Sequence, residues 1–193
     1  MPRTKQFDTE NTLVKARDLF WSKGYYNTSI QDLVNALGIN RASIYDTYGG
    51  KKELFDLAFK QYQESNFRWL KAYLESRSKT VETLREFFYG TIESGCTDPE
   101  NKGCFGVNTT TELIPSDEWI QKLMLKQKKR VEEVFESFLE QGKAEGEFNK
   151  SVDAKNAARL LFTLLSGFRV VGKIKPRKEE MQASMDLVLS LLK

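Results

Sequence analysis

Histidine is absent from the 193 residues, and cysteine occurs only as Cys96 and Cys104. That set cannot assemble a four-cysteine or cysteine–histidine zinc site, and imidazole acid–base catalysis has no residue to run on. No metal ligands, no cofactor and no catalytic residues are therefore expected. Only four prolines interrupt the chain, and no alternating apolar–polar run is long enough to argue for a sheet. No stretch approaches the roughly 20 apolar residues of a membrane span, and the first residues lack the apolar core of a signal peptide. These absences predict an all-α, soluble, cytoplasmic protein with no membrane partner.

Net charge is small, and its placement is uneven. Residues 1–52 hold eight Lys/Arg, Arg3 and Lys5 among them, against five Asp/Glu, whereas residues 53–193 hold 22 of each, so the first segment carries the whole net charge of +3. A positive excess confined to one end is a modest footprint for a polyanionic partner.

The same end contains the most structured local pattern, residues 28–55. Thr28 or Ser29 offers a hydroxyl cap, and Ile30, Leu33, Val34 and Leu37 recur at helical spacing. Gly38 suits the left-handed backbone that ends a helix. Asn40 can cap a second helix whose first turn holds Arg41, Ala42 and Ser43. With Ile44 facing inward, Arg41, Ser43 and Tyr45 are expected to face outward, toward base edges or phosphates. Tyr48 and Gly49-Gly50 make a compact break before Lys51 opens a long third helix, a helix start suited to phosphate. The bland alternative is a helical hairpin inside an all-helical core.

Several residues of this segment, with some before it, resemble the DNA-binding domain of the TetR-like (tetracycline-repressor) family of bacterial transcription regulators. They are Leu13, Ala16, Phe20, Gly24, Tyr25 and Thr28, then Ile30, Leu33, Gly38, Ile39, Ser43, Ile44, Tyr45, Tyr48, Lys51, Leu54 and Phe55. The resemblance covers roughly the first 60 residues. It implies a helix-turn-helix domain over 1–52, a helical regulatory and dimerisation domain over 53–193, and about nine helices in all. It also implies double-stranded DNA as partner, with Thr28, Ser29, Asn40, Arg41, Ser43, Tyr45, Tyr48 and Lys51 as the contact set. Asp46 departs from the neutral residues the family often has there; an acid near phosphates is repelled, so it is left out of that set.

Downstream, apolar spacing predicts helices from Lys51 to about Ser76, Thr80 to Ser94, a short one stopping near Pro115, Asp117 to Gln141 with Gly142 and Gly146 marking its end, Ala154 to about Gly172, and one after Pro176. The last two carry more apolar face than one core needs, which suggests a four-helix interface with a second copy. Leu160, Leu164, Phe168, Met181, Met185, Val188 and Leu192 are its expected residues. TetR-like proteins dimerise through these two helices, and a homodimer matches a palindromic operator.

Many body aromatics are core, and some are candidates to line an apolar ligand pocket. Phe105, Trp119 and Phe168, with Asn108 and Arg169 as polar anchors, are the candidates for an unknown small-molecule inducer. Gly103-Cys104 followed by Asn108 resembles the Gly-Cys-x-x-x-Asn signature of one branch of the family. Cys104 beside Lys102, at a helix start, is where thiols become reactive. It is read either as a redox sensor, with Cys96 as a resolving partner, or as a small side chain at a tight crossing. The resemblance implies a ligand- or redox-responsive repressor that is not an enzyme. The rival reading is a helical thiol-based redox or ligand-binding protein without DNA binding, which leaves residues 28–55 unexplained.

Overall fold

The computed structural model describes residues 8–193, so Arg3 and Lys5 of the basic excess lie outside the described residues. Among the described residues there are nine α-helices and no strand: α1 Thr9–Lys23, α2 Ile30–Leu37, α3 Arg41–Tyr48, α4 Lys51–Glu75, α5 Val81–Thr97, α6 Phe105–Leu113, α7 Glu118–Glu145, α8 Ala154–Val171 and α9 Lys178–Ser190. The chain divides into two compact units, one ending at Ser65 and the other running from Asn66 to Lys193.

In the first unit α1, α2 and α3 are each started by a side chain that satisfies orphan backbone donors. Asp8 accepts from the Glu10 and Asn11 N–H groups, Ser29 and Asp32 form a reciprocal capping box, and Asn40 accepts from the Ser43 N–H at 2.8 Å. Gly38 closes α2 at φ 68°, where a Cβ would be strained. The unit closes on Ala16, Phe20, Leu33, Ile44, Leu54, Phe55 and Phe59, all essentially inaccessible. Phe20 and Phe55 meet edge to face at 5.1 Å, a preferred aromatic geometry.

The second unit is a larger helical body in which α5 packs against α8 and α9, and α7 against α8. Its core centres on Phe88, which touches Phe87, Phe135 and Phe168. Two expected boundaries move. α5 runs on through Gly95 to Thr97, and Gly95 faces Gly172 there: a Cβ on Gly95 would lie 3.6 Å from the Gly172 Cα. α7 runs through Gly142 and ends only at Gly146. Gly142 is a site of close approach, since a Cβ would lie 2.4 Å from both the Lys79 carbonyl oxygen and the Phe148 ring.

The expected dimer residues need correction. α8 turns Ala154, Ala158, Leu161, Leu165 and Phe168 inward, and α9 turns Met181, Met185 and Leu189 inward. Phe168, Met181, Met185 and Leu192 are therefore buried in this chain's own core, not on a free face. Leu160 is exposed, and Leu164 and Val188 are half-buried. The other apolar side chains left uncovered at this end are Val170, Val171, Ile174, Leu187 and Leu191. No helix among the described residues is long and apolar enough to cross a membrane.

Candidate nucleic-acid interface

α3 sorts its eight residues cleanly. Ile44 and Tyr48 are buried, Ser43 and Thr47 are half-buried, and Arg41, Ala42, Tyr45 and Asp46 are exposed. With Ile44 and Tyr48 one turn apart on the inner side, Ala42 and Asp46 are one turn apart on the outer side. The outward face is thus Arg41, Ala42, Tyr45 and Asp46. The Tyr45 ring is held on two sides: the Arg41 guanidinium lies 5.7 Å from its centroid, and a Cβ on Gly50 would touch it at 3.5 Å. Asn40 and Ser29 are exposed, but both are occupied as caps.

Lys51 stands at the start of α4 with its ammonium 4.3 Å from the centroid of Tyr25, a cation–π position that fixes where the charge sits. Lys52 is drawn to Asp56 at 2.6 Å. Burial pushes the Tyr25 phenol above its ordinary range. On Asp32, hydrogen bonds from Lys23 and Ser29 hold the carboxyl well below the usual carboxylate range.

Two expected contact residues leave the surface. Thr28 is fully buried, and its hydroxyl donates to the Gly24 carbonyl at 2.6 Å, closing the exit of α1. Tyr48 is buried as well, and its hydroxyl points to the Thr9 carbonyl at 3.5 Å, so it ties α3 to α1. Ala42 was not among the expected contact residues and Asp46 was set aside for its charge, although the inward pair Ile44 and Tyr48 already placed both on the outer side.

In the body, Cys104 occupies the residue before α6 and is buried. Arg169 donates to its sulfur at 3.6 Å. Asn108 donates to the Lys102 carbonyl at 2.8 Å and accepts from the Lys173 ammonium at 3.3 Å, while the Lys173 stem lies against Gly103. The Gly-Cys-x-x-x-Asn spacing thus has a physical sense: the asparagine folds the loop back onto the start of α6. Lys102 itself is paired with Glu100, so the cations around this loop are Arg169 and Lys173. Lys173 was not anticipated, though it follows Arg169 by one turn.

Of the other candidates, Phe105 and Phe168 are buried and Trp119 is exposed on the first turn of α7. Cys96 lies 3.9 Å from the Met181 sulfur, and burial raises its thiol pKa. An open groove of about 270 Å³ between α4 and α7 is lined by Phe67, Leu74, Val134 and Phe138 with Arg130 and Glu133. None of the expected ligand residues lines it.

A short capped helix presented after a glycine turn, in a small unit that precedes a helical body, is the arrangement of a helix-turn-helix regulator. Comparison with known proteins agrees. The model for bacterial regulatory proteins of the tetR family matches residues 13–58, and that for the tetracyclin repressor-like C-terminal domain matches residues 80–188. An uncharacterized HTH-type transcriptional regulator of Bacillus subtilis (strain 168), YezE, is 34% identical over the full length of both chains. The HTH-type transcriptional repressor ComR of Escherichia coli (strain K12) is 30% identical over 87% of this chain and 80% of its own. A cysteine mutant of the TetR family transcriptional regulator CifR, complexed with 26-base-pair double-strand operator DNA, is 25% identical with a TM-score of 0.83, covering 97% of this chain and 98% of that one. The chain belongs to the TetR family and is a transcriptional regulator.

Proposed function

We propose that this chain is a homodimeric repressor that binds a palindromic operator, with residues 1–52 as the reading domain and 53–193 as the regulatory and dimerisation domain. It acts in the cytoplasm and has no enzymatic role. The observation that carries this reading is the exposed face of α3, where Arg41 and Tyr45 project beside a fixed Lys51. Pairing through α8 and α9 is supported by the apolar side chains left uncovered there, Leu160, Val171, Leu187 and Leu191. Titration of the full chain against duplex DNA from upstream of its own gene tests it. Sequence-preferring binding, with two protected half-sites about one helical turn apart, is expected. Lys51→Ala is expected to weaken binding to every duplex and to reduce the salt slope by about one. Binding without sequence preference overturns the reading, and an unchanged slope removes Lys51 from the phosphate.

We further infer that the chain belongs to the Gly-Cys-x-x-x-Asn branch and that release is triggered at the Cys104 loop, by a small molecule or an oxidant. The guanidinium on the sulfur of a thiol at a helix start is the observation that supports this reading. A trigger there shifts the equilibrium only through differential affinity for two states, typically about 1–3 kcal/mol. Mild oxidation is expected to release the wild type from DNA and to leave Cys104→Ser bound. Equal responses of the two proteins remove the thiol from the mechanism.

A further inference from the structure

The reading unit contains five described aspartates, and four of them are engaged. Asp8 caps α1, Asp18 pairs with Arg17, Asp32 is held by Ser29 and Lys23, and Asp56 is paired with Lys52. Asp46 is the exception: it is exposed, and no hydrogen bond or ion pair reaches its carboxylate among the described residues. It lies on the outward face of α3, after Arg41, Ala42 and Tyr45. One turn before it is Ala42 and three residues after it is Gly49, both exposed. Along that line of the helix, Asp46 is the only side chain longer than a methyl, so neither neighbour on the line covers its carboxylate.

We propose that Asp46 fixes the base preference at one position of each operator half-site, by accepting a hydrogen bond from the exocyclic amino group of a cytosine. This inference rests on the reading of α3 as the element that enters the major groove. An ionised carboxylate is an acceptor only. Against phosphate it is repelled, and against the acceptor edges of guanine or the O4 of thymine it is repelled again. The groove offers it donors at cytosine N4 and adenine N6. Adenine sets its N7 acceptor beside that donor, whereas cytosine does not, so cytosine is selected. The residue left out of the contact set on grounds of charge therefore becomes a specificity determinant for the same reason: it penalises most of what it can meet.

Selection of bound duplexes from a randomised pool, with the wild type, Asp46→Ala and Asp46→Asn, tests this. The wild type should favour cytosine at one position of each half-site by about tenfold. Asp46→Ala should flatten preference at that position alone. Asp46→Asn should move it to adenine, because an amide can both donate to N7 and accept from N6. Circular dichroism of the two variants checks that the exposed substitution leaves the fold in place. Three identical preference profiles overturn the proposal, as does a wild-type choice of guanine or thymine at the position the variants alter. If the wild type selects no sequence, the DNA-binding reading itself falls, and that outcome is distinct from both.

Discussion

In the unit ending at Ser65, α2 and α3 are eight residues each, and single side chains hold their starts: the Ser29–Asp32 box and Asn40. In the unit from Asn66 onward, helices of up to 28 residues are held by a shared aromatic core around Phe88 and Phe135. Helices as short as α2 and α3 are marginal on their own, so their caps and stops carry specification that a long helix obtains from burial. What each unit leaves outside differs in the same way. The outward face of α3 is polar apart from Ala42, with Arg41, Tyr45 and Asp46, whereas α8, α9 and the turns beside them leave Leu160, Ile174, Leu187 and Leu191 uncovered. A polar face with a free carboxylate suits a groove of donors and acceptors. An apolar face suits another apolar face.

Two glycines put the contrast to measurement. In the body, Gly142→Ala drives a Cβ to 2.4 Å from the Lys79 carbonyl oxygen and the Phe148 ring. Backbone cannot yield as a flexible side chain does, and overpacking of this kind costs about 1–3 kcal/mol. In the reading unit, Gly38→Ala meets nothing within 4 Å, and its cost is the left-handed backbone at φ 68° alone, about 1 kcal/mol. Denaturant unfolding of both variants should rank them in that order. The reverse ranking would mean that local backbone, not packing, limits the body too.

This difference explains what the sequence could reveal. Gly38, Asn40 and the start of α4 were legible because each acts through its own chemistry within a few residues. The inward face of α8 was not, because Leu160-Leu161 and Leu164-Leu165 are adjacent apolar pairs and periodicity alone does not say which member turns inward. Leu161 and Leu165 do, with Ala158 and Phe168, which leaves Leu160 and Leu164 of the expected dimer residues on the outer side and takes Phe168 into the core. In α3 the inward pair Ile44 and Tyr48 fixed the outward face, yet charge was used to set Asp46 aside. Thr28 was misread because a hydroxyl beside a helix start suits either a cap or a buried bond, and Ser29 took the cap. Lys173 lies in the 3-10 turn Gly172–Ile174 that continues α8, just past the expected end of that helix near Gly172.

The smallest expected effect compares two carboxylates with depressed pKa values, one in each unit. Asp32 is held by the Lys23 ammonium at 2.8 Å and by Ser29, within ten residues of chain. Asp186 is held by Arg85 and by the Tyr89 hydroxyl at 2.7 Å, from nearly a hundred residues away, and these bonds tie α9 to α5. In both, the folded pKa lies below that of the free side chain. Each carboxylate therefore contributes stability at pH values above roughly 4, where a free aspartate ionises, and loses it as the pH falls through its folded pKa. Replacing either by asparagine should lower the denaturant midpoint slightly at pH 7 and flatten its fall below about pH 4. Both sites are solvent-exposed, so screening keeps the shifts small and salt shrinks them further. Asp32→Asn should flatten the acid limb more than Asp186→Asn, because the acid limb follows the depth of the pKa depression and the Lys23 and Ser29 hydrogen bonds lower Asp32 further than Arg85 and Tyr89 lower Asp186. An acid limb changed more by Asp186→Asn would place the stronger pH-sensitive contact in the body and reverse the comparison.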